Sequence, residues 1–127
     1  MRYPLQPIQA WSSWDAVVAF YGKIAENNPS LETMVEFTSR IAASRYAGGL
    51  FPGMSVGTLL IGQTPVFEWK REVLEVQALR PSSRLRFDFW ERPETKDHWS
   101  RECEASEAFA LLEWLLHRKH WFLRTGP

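Results

Sequence analysis

Apolar residues recur at helical spacing through the first third of the chain. Trp14, Val17, Val18, Tyr21, Ile24 and Ala25 fall on one stripe, and Leu31, Met34, Val35, Thr38, Ile41 and Ala42 on a second. These stripes predict a pair of helices. Ser12, with Asp15 three residues on, forms a loose capping box at the start of the first. Asn27-Asn28-Pro29 ends it, and Ser30 caps the second. Ala47-Gly48-Gly49 stops the second helix, and Pro52-Gly53 reads as a turn. Residues 1–11, with Pro4 and Pro7, read as an extended lead-in.

From Met54 the period changes to alternation, and strands are predicted near 55–61, 66–79, 84–90 and 98–104. Within 66–79 the apolar parity switches, because Phe67, Trp69 and Val73 are odd whereas Leu74, Val76 and Ala78 are even. A one-residue bulge or bend near Val73-Leu74 would return both sets to one face of a strongly curved sheet. Taking 80–83 as a four-residue hairpin loop sets Leu79 against Arg84. Ala78 then meets Leu85, Val76 meets Phe87 and Leu74 meets Phe89 on an apolar inner face. Gln77–Arg86, Glu75–Asp88 and Val73–Trp90 pair on the outer face. A second hairpin around Pro93, with Glu91 opposite Asp97, brings Phe89 to Trp99 and Leu85 to Cys103. The same register sets Arg86 against Glu102 and Arg84 against Glu104, opposite charges across the ladder.

A last helix near 106–120 carries Ala108, Phe109, Leu111, Leu112, Leu115 and Leu116 on a wide apolar stripe. The expected architecture is therefore α+β over one domain, 1–127. Two N-terminal helices, a bent four-stranded antiparallel meander and a C-terminal helix place all helices on one face of the sheet.

Composition narrows the function classes. Fifteen basic and fifteen acidic residues cancel in 127, which argues against a domain built to hold a polyanion, so no nucleic acid is expected. A single cysteine, Cys103, excludes an intrachain disulfide. No run of eighteen apolar residues occurs, and MRYPLQPIQAW lacks the apolar core of a secretory signal, so the expectation is a cytoplasmic protein away from membranes. Seven tryptophans and eight phenylalanines are heavy for this length, but most fall on the predicted core faces.

Several residue sets resemble chemistry and lose to simpler readings. Glu113, His117 and His120 share a helix face at spacings that metal sites use, yet no fourth ligand accompanies them, and a solvated face with an i,i+4 pair explains them. Asp97, His98 and Cys103 suggest a cysteine nucleophile with an imidazole base, but His98 and Cys103 have opposite strand parity. The run from Gly48 to Gly57 lacks the lysine and following helix of a phosphate-binding loop. The basic-aromatic end, His117 to Arg124, supplies cations to a helix C-terminus. No catalytic residue, metal or cofactor is assigned, and a binding protein is expected rather than an enzyme.

Two residue groups remain. Trp90, with Val73, His98, Arg86 and Glu75 around it, forms an outer-face patch of an aromatic among paired charges, the composition of a protein-binding hot spot. The leading expectation is a small protein-binding module of the toxin-neutralising, chaperone or adaptor kind, docking a protein partner or a second copy of itself through that face. Arg101, opposite Phe87 between Trp99 and Cys103, is the one inner-face charge. The alternative is a cone between helices and bent sheet, with a pocket lined by Trp69, Phe87, Trp99 and Arg101 that takes a small molecule. The plainer reading of Arg101 is an edge-strand residue reaching solvent around the rim.

Overall fold

The computed structural model describes residues 8–9, 13–55, 57–67, 72–92, 97–119 and 121. Helix α1 spans Trp14–Ala25 and α2 spans Glu32–Ala42. Ser13, not Ser12, caps α1: its extended backbone lets the side chain accept from the Ala16 amide at 3.1 Å. A 3₁₀ turn over Pro29–Leu31 precedes α2, with proline at its first position. The buried α2 stripe carries one polar residue, Thr38. Its hydroxyl donates to the Met34 carbonyl at 2.7 Å, so no polar atom is stranded.

Five antiparallel strands form the main sheet, in the order β2-β3-β5-β6-β7. They are β2 (Phe51–Ser55), β3 (Thr58–Gly62), β5 (Val73–Leu79), β6 (Arg84–Arg92) and β7 (Asp97–Glu104). A separate ribbon pairs β1 (Ile8–Gln9) with β4 (Val66–Phe67). The expected four strands become five because the first is a hairpin, with Ser55 opposite Thr58 and Gly57 at φ +82° in the turn between them. Pro52-Gly53, read from sequence as a turn, lies inside β2. An edge strand tolerates a residue without an amide donor, so the breaker signal misleads there.

Register across the last three strands follows the sequence expectation at each pair up to Trp90–His98. Leu74–Phe89, Val76–Phe87 and Ala78–Leu85 oppose one another, and so do Phe89–Trp99 and Leu85–Cys103. The expected irregularity at Val73-Leu74 is absent, since both residues sit in an unbroken ladder with Trp90 and Phe89. Both are also buried, at 2% and 0% exposure. Val73 and Leu74 are thus buried on opposite faces of the sheet, and residues 68–71, just before them, lie outside the described residues. The bulge lies in β6 instead, where the register shifts between Trp90 and Arg92 and Asp97 faces Arg92 rather than Glu91.

The inner face packs on the helices as one core. Phe87 meets Phe37 of α2 edge-to-face at 5.6 Å, while Leu59, Ile61, Leu74, Val76 and Leu85 are fully buried around them. Helix α3 (Ala108–Lys119), entered through a 3₁₀ turn at Ala105–Glu107, buries Ala108, Leu112, Leu115 and Leu116. Tyr46, beyond α2, ties the helices together, its buried hydroxyl donating to Glu113 Oε2 of α3 at 2.8 Å.

Candidate functional site

Strand β7 closes one side of the sheet, and among the described residues no strand pairs beyond it. Register places Trp99 and Arg101 on its inner face, opposite Phe89 and Phe87. At a sheet edge the covering helix is also the last layer, so inner-face side chains emerge beside α3 rather than under it. Arg101 is accordingly exposed and Trp99 half-buried. From α3, Trp114 projects away from the leucine stripe and is 42% exposed; it is the one exposed large apolar side chain among the described residues. Arg118 follows four residues later on the same side of the helix and is exposed too.

These four side chains form a stacked cluster. The Trp99 and Trp114 rings lie 5.9 Å apart at 31°. The Arg101 guanidinium carbon sits 5.3 Å from the Trp99 ring and 5.4 Å from the Trp114 ring. That of Arg118 lies 5.5 Å from Trp114. Such exposed cation–π contacts contribute about 0.5–1 kcal/mol each. They also fix each guanidinium against a ring while leaving its N–H donors at the plane's edge available. Among the described residues, no carboxylate lies within ion-pairing distance of either arginine, whereas Arg84 and Arg86 are both paired. The cluster is a cationic, aromatic surface whose arginines have no carboxylate partner among the described residues.

The outer face, where the sequence places its partner-binding patch, is divided. One half is covered: Val73, Glu75, Asp88 and Leu60 are between 2% and 7% exposed. Val73 and Glu75 therefore offer no side chain to a partner, because this level of the sheet is buried from both sides. The description of Trp90 and His98 extends to their ladder positions opposite Val73 and each other. The other half is a charged surface. Arg84 reaches Glu104 at 2.8 Å and Glu102 at 3.9 Å. Arg86 turns from its expected partner Glu102 to Asp88, two residues along its own strand, at 3.0 Å. Asp88 is the less hydrated carboxylate, so the bond to it repairs a larger desolvation cost.

Of the residues expected to line an inner pocket, three are described. Phe87 is 0% exposed in the core against Phe37, Trp99 and Arg101 are at the rim, and Trp69 lies outside the described residues. A groove of about 380 Å³ does run between the start of α1 and β2, past Trp14, Leu50 and Pro52. Its one ionisable group is Asp15, and the Trp14 indole N–H is already given to the Leu50 carbonyl at 2.9 Å.

Glu113 is engaged by Tyr46, His117 is exposed, and His120 lies outside the described residues. Among the described residues no three His, Cys, Asp or Glu side chains converge as metal ligands. Cys103 is buried on the inner face, and burial, assisted by the charge of Glu107, pushes its thiol pKa up. Native Cys103 is expected to react with a water-soluble disulfide reagent at pH 8 at least about tenfold more slowly than in urea. Equal rates in both conditions would show the thiol to be accessible.

Sequence reasoning passed over Trp114 and met Trp121 only within the basic-aromatic end. Trp114 carried a readable signal: it lies off the leucine stripe of its helix, with an arginine at i+4. Trp121 carried none, and it is 1% exposed against Phe89 at 5.4 Å. No known protein family matches the chain, and neither does any curated protein or solved structure.

Proposed function

We propose that this protein is a protein-binding module of the adaptor, chaperone or toxin-neutralising kind, and that it docks its partner through the surface shared by β7 and α3. The observation that carries this reading is the exposure of Trp114 within a cluster of two tryptophans and two arginines that have no carboxylate partner among the described residues. Tryptophan and arginine are enriched among the few residues that dominate the energetics of protein interfaces. The outer face supports docking less well, since Val73 and Glu75 are buried and its accessible charges are largely neutralised in pairs.

The test is site-specific photocrosslinking in cells of the protein's source. A photoreactive amino acid replaces Trp114 in one strain, and Lys23 or Glu36, exposed on α1 and α2, in controls. A discrete adduct is expected at position 114 and not at the controls. An adduct of twice the chain's mass would make the partner a second copy. Equal, diffuse labelling at all three positions would remove the reading.

A further inference from the structure

The same surface limits what can bind it. Its two guanidiniums are held against indoles and lack carboxylate partners among the described residues. A partner that covered them with apolar side chains would strip water from two charges without compensation, at a cost of several kcal/mol. A partner carrying carboxylates would instead form charge-assisted, bidentate hydrogen bonds to donors already oriented.

The backbone adds a second constraint. Among the described residues no strand pairs with β7 on its outward side, so within them its edge N–H and C=O groups take no ladder partner. It is eight residues long, and Ser100, Arg101 and Glu102 are exposed along it. An extended segment laid on this edge would alternate its side chains between the two faces of the sheet. On one face they would meet Arg101 and, beside it on α3, Arg118. On the other they would meet Ser100 and Glu102, whose carboxylate is only distantly held by Arg84 at 3.9 Å. The two faces ask for different charges.

We propose that the partner contributes an extended segment with acidic residues at every second position and neutral or basic residues between them, and that this segment pairs with β7. Its carboxylates bond to Arg101 and Arg118, its intervening side chains face Ser100 and Glu102, and Trp114 packs against its apolar stems. This inference rests on the reading of the β7–α3 surface as a docking face, and it names the chemistry of what docks there.

The probe is a labelled eight-residue peptide of alternating Glu and Thr, titrated into the intact protein at low salt and followed by fluorescence anisotropy. Saturable binding is expected, with slowed amide exchange across residues 99–103. Arg101→Ala and Arg118→Ala should each weaken it about tenfold, the scale of one lost charge-assisted hydrogen bond, and Glu36→Ala should leave it unchanged. A peptide with four Glu followed by four Thr should bind several-fold more weakly, because half its charges face the wrong side. Equal binding of the alternating and block peptides would overturn the strand pairing, and so would binding without protection of β7. Tighter binding of an eight-nucleotide oligothymidylate would overturn the protein partner in favour of a nucleic acid. The outcomes separate from those of the docking test: a crosslink at position 114 with no peptide binding removes the acidic segment alone, whereas no crosslink removes the docking face itself. Both arginines are exposed, so thermal melting of the variants should match the parent and exclude misfolding as the cause.

Discussion

Replacing Trp121 by alanine is expected to lower the thermal midpoint by roughly 12–20 °C. Trp121 is among the largest fully buried side chains, 1% exposed, with its ring 5.4 Å from that of Phe89 on the inner face of the sheet. Its indole N–H donates to Glu72 Oε1 at 2.7 Å, and its carbonyl accepts from Gln63 Nε2 at 2.9 Å. Truncation to alanine removes the packed ring, leaves a cavity beside Phe89 and deprives a carboxylate of its donor. Core truncations of this size cost about 3–5 kcal/mol, and one kcal/mol moves the midpoint of a domain of this length by roughly 4 °C. Trp121→Phe restores most of the ring but not the bond to Glu72, and should recover about half of the loss. Trp114→Ala, on the exposed cluster, should change stability by less than about 1 kcal/mol. Calorimetry of the three variants decides the matter, and a Trp121→Ala loss as small as that of Trp114→Ala would show that Trp121 does not close the core.

The contrast between these tryptophans shows where a sequence stops being informative. They are seven residues apart, close to two helical turns, so a helical wheel assigns them the same side. What separates them is the neighbour each one meets. Trp114 emerges past the edge of the sheet beside β7, whereas Trp121 reaches Phe89, Glu72 and Gln63. That difference is set by contacts 32 to 58 positions away in the chain, and local periodicity contains none of it.

The sheet register was legible for the opposite reason. Hairpins couple neighbours in sequence, and a slip of one residue would have turned Leu85, Phe87 and Phe89 to the wrong face and broken the Arg84–Glu104 pair. Two criteria of different origin, apolar parity and charge pairing, therefore selected the same alignment. The face of Val73 and Glu75 was misjudged because alternation identifies a covered face only where one side is wet. Here both sides are dry at one level, and Val73, Glu75 and Asp88 read as an outer surface until the burial is seen. The candidate site needed both kinds of information. Arg101 and Trp99 were placed by register, but their meeting with Trp114 and Arg118 depended on α3 bringing its side chains to β7.

Above pH 10 the protein is expected to lose up to about 1.4 kcal/mol of stability per pH unit through one residue, Tyr21. Its ring is 1% exposed between α1 and the β2–β3 turn, and its hydroxyl donates to the Gly57 carbonyl at 2.9 Å. Burial disfavours the phenolate and raises its pKa well above the ordinary value of 10.0. A folded-state pKa above the unfolded one means that the contribution is fully present below pH 10. It then declines as the unfolded chain alone begins to release the proton, and the decline continues until the folded-state value is reached. Between pH 10, where half of the unfolded phenols are ionised, and pH 12 the loss attributable to Tyr21 is therefore up to about 2.3 kcal/mol. Tyr21→Phe removes the titration and the bond to Gly57 together. At neutral pH the variant should be less stable than the parent by about 1 kcal/mol, and the gap should close and then reverse as the pH rises past 10. Urea unfolding of both proteins at pH 8, 10, 11 and 12 measures this crossing. Lysine titration and other alkaline effects are common to the two chains and cancel in the difference. Parallel stability curves would mean that the phenol reaches water in the folded state, and the contact that joins α1 to the first hairpin would have to be redrawn.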